Sequence, residues 1–274
     1  MKHTCVLLAA MMVALASTGV AQESTMKGAE QCSFKKSNAA HRPHAPESAT
    51  SPRHTFDVLN YTLDLNIYSC FLTPYPKSFT ASNLVTFRVD TALSSIRLNA
   101  STTSLVIDSV RLAGVSFTHS AGLLTITLDR TYVPGEVADV KIYYRHNNVA
   151  DNAFYTGTGM VFTDCEPEGA RSWFPCWDKP SDKATVNLHI KTPASVKLGS
   201  SGRLADSTQV ADTIWYNWIS RDPVSTYLVV MSGKVGYNLD IVKWPTISNP
   251  ADSIPIRFYW NAGESQTNLN NVKA

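Results

Sequence analysis

Several functional classes are excluded by what this 274-residue sequence lacks. Cysteine is scarce. Cys5, Cys32, Cys70, Cys165 and Cys176 are the only ones, and no two stand in the Cys-x-x-Cys spacing of a zinc–thiolate site. Neither sign of charge dominates: 24 Lys and Arg face 22 Asp and Glu, interspersed throughout, for a net charge of +2. That distribution holds no basic stripe and excludes a nucleic-acid binder. Beyond residue 21 no apolar run approaches the length of a membrane span. Between residues 53 and 260 no apolar stripe recurs at helical spacing between caps, which argues against a helical domain. The seven histidines repeat no metal-ligand spacing, and His41, His44 and His54 lie in Pro-rich sequence where imidazoles are solvated.

The two ends of the chain differ in kind. Lys2 gives a positive start, Val6 to Ala16 is nearly unbroken apolar sequence, and Ser17 to Ala21 offers small residues for cleavage. Residues 1–21 therefore read as a secretory signal peptide; an uncleaved anchor is the competing reading, disfavoured by the short run. The remainder is expected to be secreted or periplasmic. Residues 22–52 are polar and rich in Pro, Ser and His, with too little apolar surface to offset the entropy of ordering, and read as a leader or linker. Four cysteines survive signal removal. They allow three pairings among which the sequence does not choose, and Cys165 and Cys176 are equally readable as buried thiols.

What is present is strand signal. Tyr61, Leu63, Leu65 and Ile67 alternate with polar residues, as do Leu124, Ile126 and Leu128, then Val140, Ile142 and Tyr144, then Val186, Leu188 and Ile190. Turn formers separate such runs at Pro134-Gly135, Ser200-Ser201-Gly202, Ser248-Asn249-Pro250 and Asn261-Ala262-Gly263. The pairs Tyr143-Tyr144, Trp215-Tyr216 and Tyr259-Trp260 place one ring on each face of a strand. Short strands and turns at this spacing predict an all-β domain over 53–262, either an antiparallel sandwich or a large curved sheet. Leu269 and Val272, three apart, predict the start of a helix at the C-terminal end.

One segment breaks the alternation. Residues 163–185 crowd Trp173, Phe174, Trp177, Cys165, Cys176, three prolines and eight charged residues together. A stretch so aperiodic and so rich in large side chains predicts an ordered loop packed by its own aromatics, where binding groups tend to sit. Arg171 and Asp178 are opposite charges placed to pair across it, and Trp173, Phe174 and Trp177 are placed to anchor it on a sheet.

The order Thr163-Asp164-Cys165-Glu166, Gly169-Ala170-Arg171, Phe174-Pro175-Cys176-Trp177-Asp178, Pro180 and Lys183-Ala184-Thr185 resembles the signature Thr-Gln-x-Glu, Ala-Arg, Phe-Pro-Cys-x-Asp-x-Pro, Lys-Ala-Thr of the aminopeptidase N and leukotriene hydrolase family of zinc metallopeptidases. The resemblance extends over about residues 55–260 and implies the family's large, saddle-like N-terminal β domain. It implies that Glu166 holds the α-ammonium of a peptide substrate, with a cis bond to the residue that follows, here Pro167. Asp164 stands where the family has Gln, which adds negative potential beside the amine and alters the side-chain pocket.

The sequence lacks the rest of such an enzyme. No histidine is followed by Glu, so the His-Glu-x-x-His helix that binds catalytic zinc is absent, as is the Gly-x-Met-Glu-Asn strand. The resemblance thus implies no catalytic or metal-binding residue in this chain, with zinc in a separate catalytic domain, and residues 263–274 as the start of a truncated connection to it. On this reading the chain alone is inactive. The alternative is a free-standing β module that binds peptide termini, glycan or a protein partner without chemistry.

Overall fold

The structure, a computed structural model, describes residues 55–112 and 114–273. The signal-like segment, the leader, Cys5 and Cys32 lie outside the described residues. As the alternating pattern predicts, β-strands dominate. The largest sheet has seven strands in the order β12 (Arg203–Val210), β13 (Thr213–Ser225), β10 (Lys183–Pro193), β1 (Phe56–Asn66), β2 (Thr80–Val89), β7 (Val137–His146) and β4 (Leu105–Arg111). A three-stranded sheet holds β3 (Leu93–Asn99), β6 (Leu123–Tyr132) and β5 (Ser116–Ser120). A four-stranded sheet holds β11 (Val196–Ser200), β14 (Met231–Val235), β9 (Met160–Thr163) and β8 (Phe154–Gly157). The four alternating runs found in the sequence lie in β1 (with Ile67 just past its end), β6, β7 and β10, and the turn clusters fall at or beyond strand ends, Ser200 being the last residue of β11. The C-terminal pattern is realised as helix α1 (Gln266–Lys273).

One pairing departs from the antiparallel expectation: β1 and β10 run parallel, with Leu63 opposite Leu188 and Leu65 opposite Ile190. A period-two pattern reports which face a side chain takes and is blind to the direction of the neighbouring strand.

The alternation sorts the large sheet into two faces. Val58, Tyr61, Leu63, Leu65, Val85, Phe87, Val140, Ile142, Val186 and Leu188 are buried in one contiguous core that also takes Ile96, Leu98, Leu124 and Ile126 of the three-stranded sheet and Val161, Leu198 and Met231 of the four-stranded one. Burying each such side chain contributes about 1.5–3 kcal/mol, so this shared cluster, rather than any single sheet, holds the domain together. The strand pairs of aromatics divide as predicted for two of three: Tyr144 and Tyr216 are buried, while Tyr143 and Trp215 are half-exposed.

The other face is polar and carries a titrating pair. His189 Nδ1 donates to Asp64 Oδ1 at 2.9 Å, and Asp64 also accepts from Ser82 Oγ at 3.0 Å. The bond from His189, joined by that from Ser82 and the charge of Lys141, holds the Asp64 carboxyl at about 2, and the same bond raises the imidazole of His189. The raised imidazole contributes stability below its ordinary value of about 6.5 and loses it as pH climbs through the folded value. The depressed carboxyl contributes above the ordinary carboxylate range and loses it as pH falls toward 2. The pair is thus at full strength between roughly pH 4 and 6.5. Both side chains are 46% exposed, so solvent screening limits the effect. Urea unfolding should show His189→Ala costing up to about 1 kcal/mol at pH 5 and much less at pH 9; equal costs at both would mean that charge plays no part.

The last two strands, β15 (Asn238–Pro245) and β16 (Ser253–Trp260), pair only with each other. They meet the four-stranded sheet where the Tyr259 hydroxyl donates to the Leu198 carbonyl at 3.0 Å and its ring lies over Gly199. A Cβ at Gly199 would come within 3.0 Å of that ring, so the glycine is what allows the approach. Among the described residues no helix is long and apolar enough to cross a membrane.

Candidate functional site

The 163–185 loop leaves the end of β9 and re-enters the large sheet at β10. Its first residues continue the strand's alternation: Thr163 and Cys165 are buried, Asp164 is half-buried and Glu166 is exposed. Asp164 N–H donates to the Ala153 carbonyl at 2.9 Å, and Thr163 Oγ1 accepts from Met231 N–H at 3.0 Å. The chain then turns on itself. The Glu166–Pro167 bond is cis, in agreement with the resemblance, and Gly169 N–H closes back onto the Cys165 carbonyl at 2.8 Å. A Cβ at Gly169 would meet Cys165 Cα at 2.9 Å, so only glycine permits so tight a return.

The aromatics anchor the loop. Trp173 and Phe174 are fully buried, and Trp173 Nε1–H donates to Cys165 Sγ at 3.1 Å. Phe174 meets the Tyr61 ring edge-on at 5.6 Å, and Trp177 meets Phe56 at 6.3 Å. Backbone groups are satisfied by side chains from distant strands. Tyr61 OH accepts from Trp177 N–H at 2.9 Å, and Asn83 Nδ2 donates to the Pro175 carbonyl at 2.7 Å. Asn99 bridges with its backbone to Cys176 and with Oδ1 to Asp178 N–H. Cys70, Cys165 and Cys176 are buried, and no disulfide joins any two of them; a pairing with Cys32 lies outside the described residues. Burial pushes the Cys176 thiol and the Tyr61 hydroxyl well above their ordinary values and the Cys70 thiol up to about 12, which keeps all three neutral and unreactive.

Four charges of the loop form a closed set. Asp178, fully buried, accepts on Oδ2 from Arg171 Nε at 2.8 Å and Arg171 N–H at 3.2 Å, and on Oδ1 from Thr226 Oγ1 at 2.8 Å. Arg171 spends a terminal nitrogen on Glu168 Oε2 at 2.6 Å, and Lys179 Nζ takes Glu168 Oε1 at 2.8 Å. The expected Arg171–Asp178 pair is therefore real and sits inside a four-residue network. Glu166 stands outside it: among the described residues no hydrogen bond or ion pair engages its carboxylate. Asp164 and Glu166, the two residues singled out in the sequence, lie two positions apart on either side of buried Cys165, the first sheltered and the second open to solvent. Among the described residues no three His, Cys, Asp or Glu are grouped to hold a metal ion.

The sequence did not point to Tyr61, Asn99 or Thr226 as supports of this loop. Tyr61 carried one usable signal, a hydroxyl on the apolar side of a strand, which needs a partner once buried. Asn99 and Thr226 carried none, because their role depends on contacts with residues 79 and 48 positions away.

Known proteins place these features in one group. The Aminopeptidase M1 of Arabidopsis thaliana is 25% identical over 148 residues, 54% of this chain and 15% of that protein. Human glutamyl aminopeptidase is 38% identical over 80 residues, 27% of this chain and 8% of that protein. The chain thus spans a small part of the length of these relatives. The crystal structure of an M1 zinc metallopeptidase from Deinococcus radiodurans superposes with a TM-score of 0.66 at 22% identity, covering 78% of this chain and 49% of that one. A variant of the same enzyme, bound to a Tyr-Ser-Ala substrate, superposes with a TM-score of 0.65 at 23% identity. Those structural likenesses are of fold. The sequence pattern of the Peptidase M1 N-terminal domain matches residues 59–228, more than half of the chain and the whole of the loop described above. The chain belongs to the Peptidase M1 N-terminal domain family.

Proposed function

We propose that this domain forms one wall of the substrate cleft of an exported zinc aminopeptidase, in which Glu166 holds the α-ammonium of the peptide and Asp164 borders the first side chain. The observation that carries this reading is the contrast within the loop. The charges on Glu168, Arg171, Asp178 and Lys179 are neutralised by one another, whereas among the described residues no hydrogen bond or ion pair engages the Glu166 carboxylate. A carboxylate on a rigid, glycine-tightened turn is suited to an ammonium group, which it binds through short, charge-assisted hydrogen bonds.

The same contact accounts for exopeptidase action, since an internal peptide nitrogen is neutral and leaves the carboxylate unpaired. The zinc that activates water would be held by a catalytic domain carrying His-Glu-x-x-His, which is not among these 274 residues. The apolar run from Val6 to Ala16 supports export to a periplasmic or extracellular site.

The test uses the product of the reading frame extended past Ala274. It should cleave a leucyl anilide in a zinc-dependent manner and leave the N-acetylated anilide intact. Equal cleavage of both would remove the ammonium from recognition. A frame that stops after Ala274, with no hydrolysis, would favour the non-catalytic module.

A further inference from the structure

The strand that leads to Glu166 also bears on which first side chain a substrate carries. β9 extends its alternation into the start of the loop, because Asp164 N–H donates to the Ala153 carbonyl at 2.9 Å, one position beyond the Phe154–Thr163 pair. Val161, Thr163 and Cys165 are buried on one side of this stretch. Phe162, Asp164 and Glu166 take the other side, the first two half-buried and the last exposed. Each step of two residues sets neighbours in this row about 6.5 Å apart along the backbone.

Three observations set the chemistry of the row. Asp164 is charged where the resembled signature has a neutral Gln. Beyond it, away from Glu166, lies an apolar ledge: the Phe162 ring stacks on that of Tyr155, its partner across β8, with centroids 4.7 Å apart and planes 5° from parallel. The cations at hand are committed elsewhere. Arg171 and Lys179, the first two that follow in the loop, are held by Glu168 and Asp178. Lys234 of β14, opposite Met160 on the same side of the sheet, gives Nζ to Asn261 Oδ1 at 2.5 Å. The row therefore reads carboxylate, carboxylate, aromatic ledge.

Building on the role given to Glu166, we propose that the preferred first residue of the substrate is basic, lysine or arginine, with its α-ammonium on Glu166 and its side-chain cation on Asp164. The two nitrogens of an extended lysine lie about as far apart as the two acidic positions. The longer arginine can bond Asp164 while its guanidinium plane rests on the Phe162–Tyr155 ledge. An acidic first residue would gather three carboxylates in one place, which repels it. A neutral one displaces water from Asp164 and returns no charge to it.

The test compares kcat/KM of the extended protein for lysyl, arginyl, norleucyl and glutamyl anilides, norleucine being lysine without its ammonium. The lysyl and arginyl substrates should exceed the norleucyl one by roughly ten- to hundred-fold, the worth of a charge-assisted hydrogen bond, and the glutamyl one should be the poorest. Added salt should narrow the gap. Asp164→Gln should bring the lysyl and norleucyl values together, and Asp164→Glu should keep a basic preference. A purely structural Asp164 would instead lower all four substrates in proportion, and that result, or an unchanged lysyl preference in a folded Asp164→Gln variant, would overturn the proposal. Equal cleavage of lysyl and norleucyl anilides, both still dependent on Glu166, would overturn it while leaving Glu166 in its role. Cleavage indifferent to Glu166, or a frame that stops after Ala274, would overturn both.

Discussion

Asp178→Ala should destabilise the domain by about 3–5 kcal/mol, the range for removing one partner of a buried ion pair. The reason is the number of groups that would be stranded together. Asp178 is fully buried and receives Arg171 Nε, Arg171 N–H and the hydroxyl of Thr226. Its removal leaves a guanidinium, largely withdrawn from water, facing only Glu168 and a backbone carbonyl, and leaves the buried Thr226 without its acceptor. Asp178→Asn retains the shape and one acceptor and should cost less, about 1–3 kcal/mol. Urea or thermal unfolding of the two variants, with circular dichroism to confirm the β-sheet at low denaturant, measures both. A loss for the Ala variant below about 1 kcal/mol would show that the aromatics alone fix the loop.

Glu166→Ala should have a comparable effect on a different quantity. In the extended protein with its catalytic domain, loss of the carboxylate should lower kcat/KM for a free aminoacyl substrate by about 2–5 kcal/mol, some thirty-fold to a few thousand-fold. Because Glu166 is exposed and its carboxylate makes no bond among the described residues, the same change should leave unfolding nearly unaltered. This separation distinguishes a binding residue from a structural one. Trp177→Phe, which alters packing against Phe56, should show the reverse pattern, with measurable destabilisation and little change in kcat/KM. Similar kinetic losses in both variants would remove the special role of Glu166.

The parts of the molecule legible in the sequence are those set by neighbours along the chain. Period-two alternation located β1, β6, β7 and β10 because the side-chain period of a strand is local. The Arg171–Asp178 pair was legible because seven residues of tight loop bring opposite charges together. The parallel neighbour of β1 was not, nor were the supports supplied by Tyr61, Asn83, Asn99 and Thr226, because each depends on register between distant strands. Glu166 was legible only through the motif around it, since a lone loop carboxylate is otherwise unremarked.

The parallel pairing of β1 with β10 also sets a clock for folding. Asn60 and Thr185 hydrogen-bond at 2.8 Å across 125 positions of chain, so the middle of the largest sheet is joined from segments far apart in sequence. Closing so long a loop costs entropy before any core contact repays it, and domains dominated by such contacts fold in milliseconds to seconds. Until β10 is available, β1 and β2 present an apolar face and an unpaired edge. A chain that ends before β10 leaves that face and edge uncovered and is expected to aggregate rather than fold.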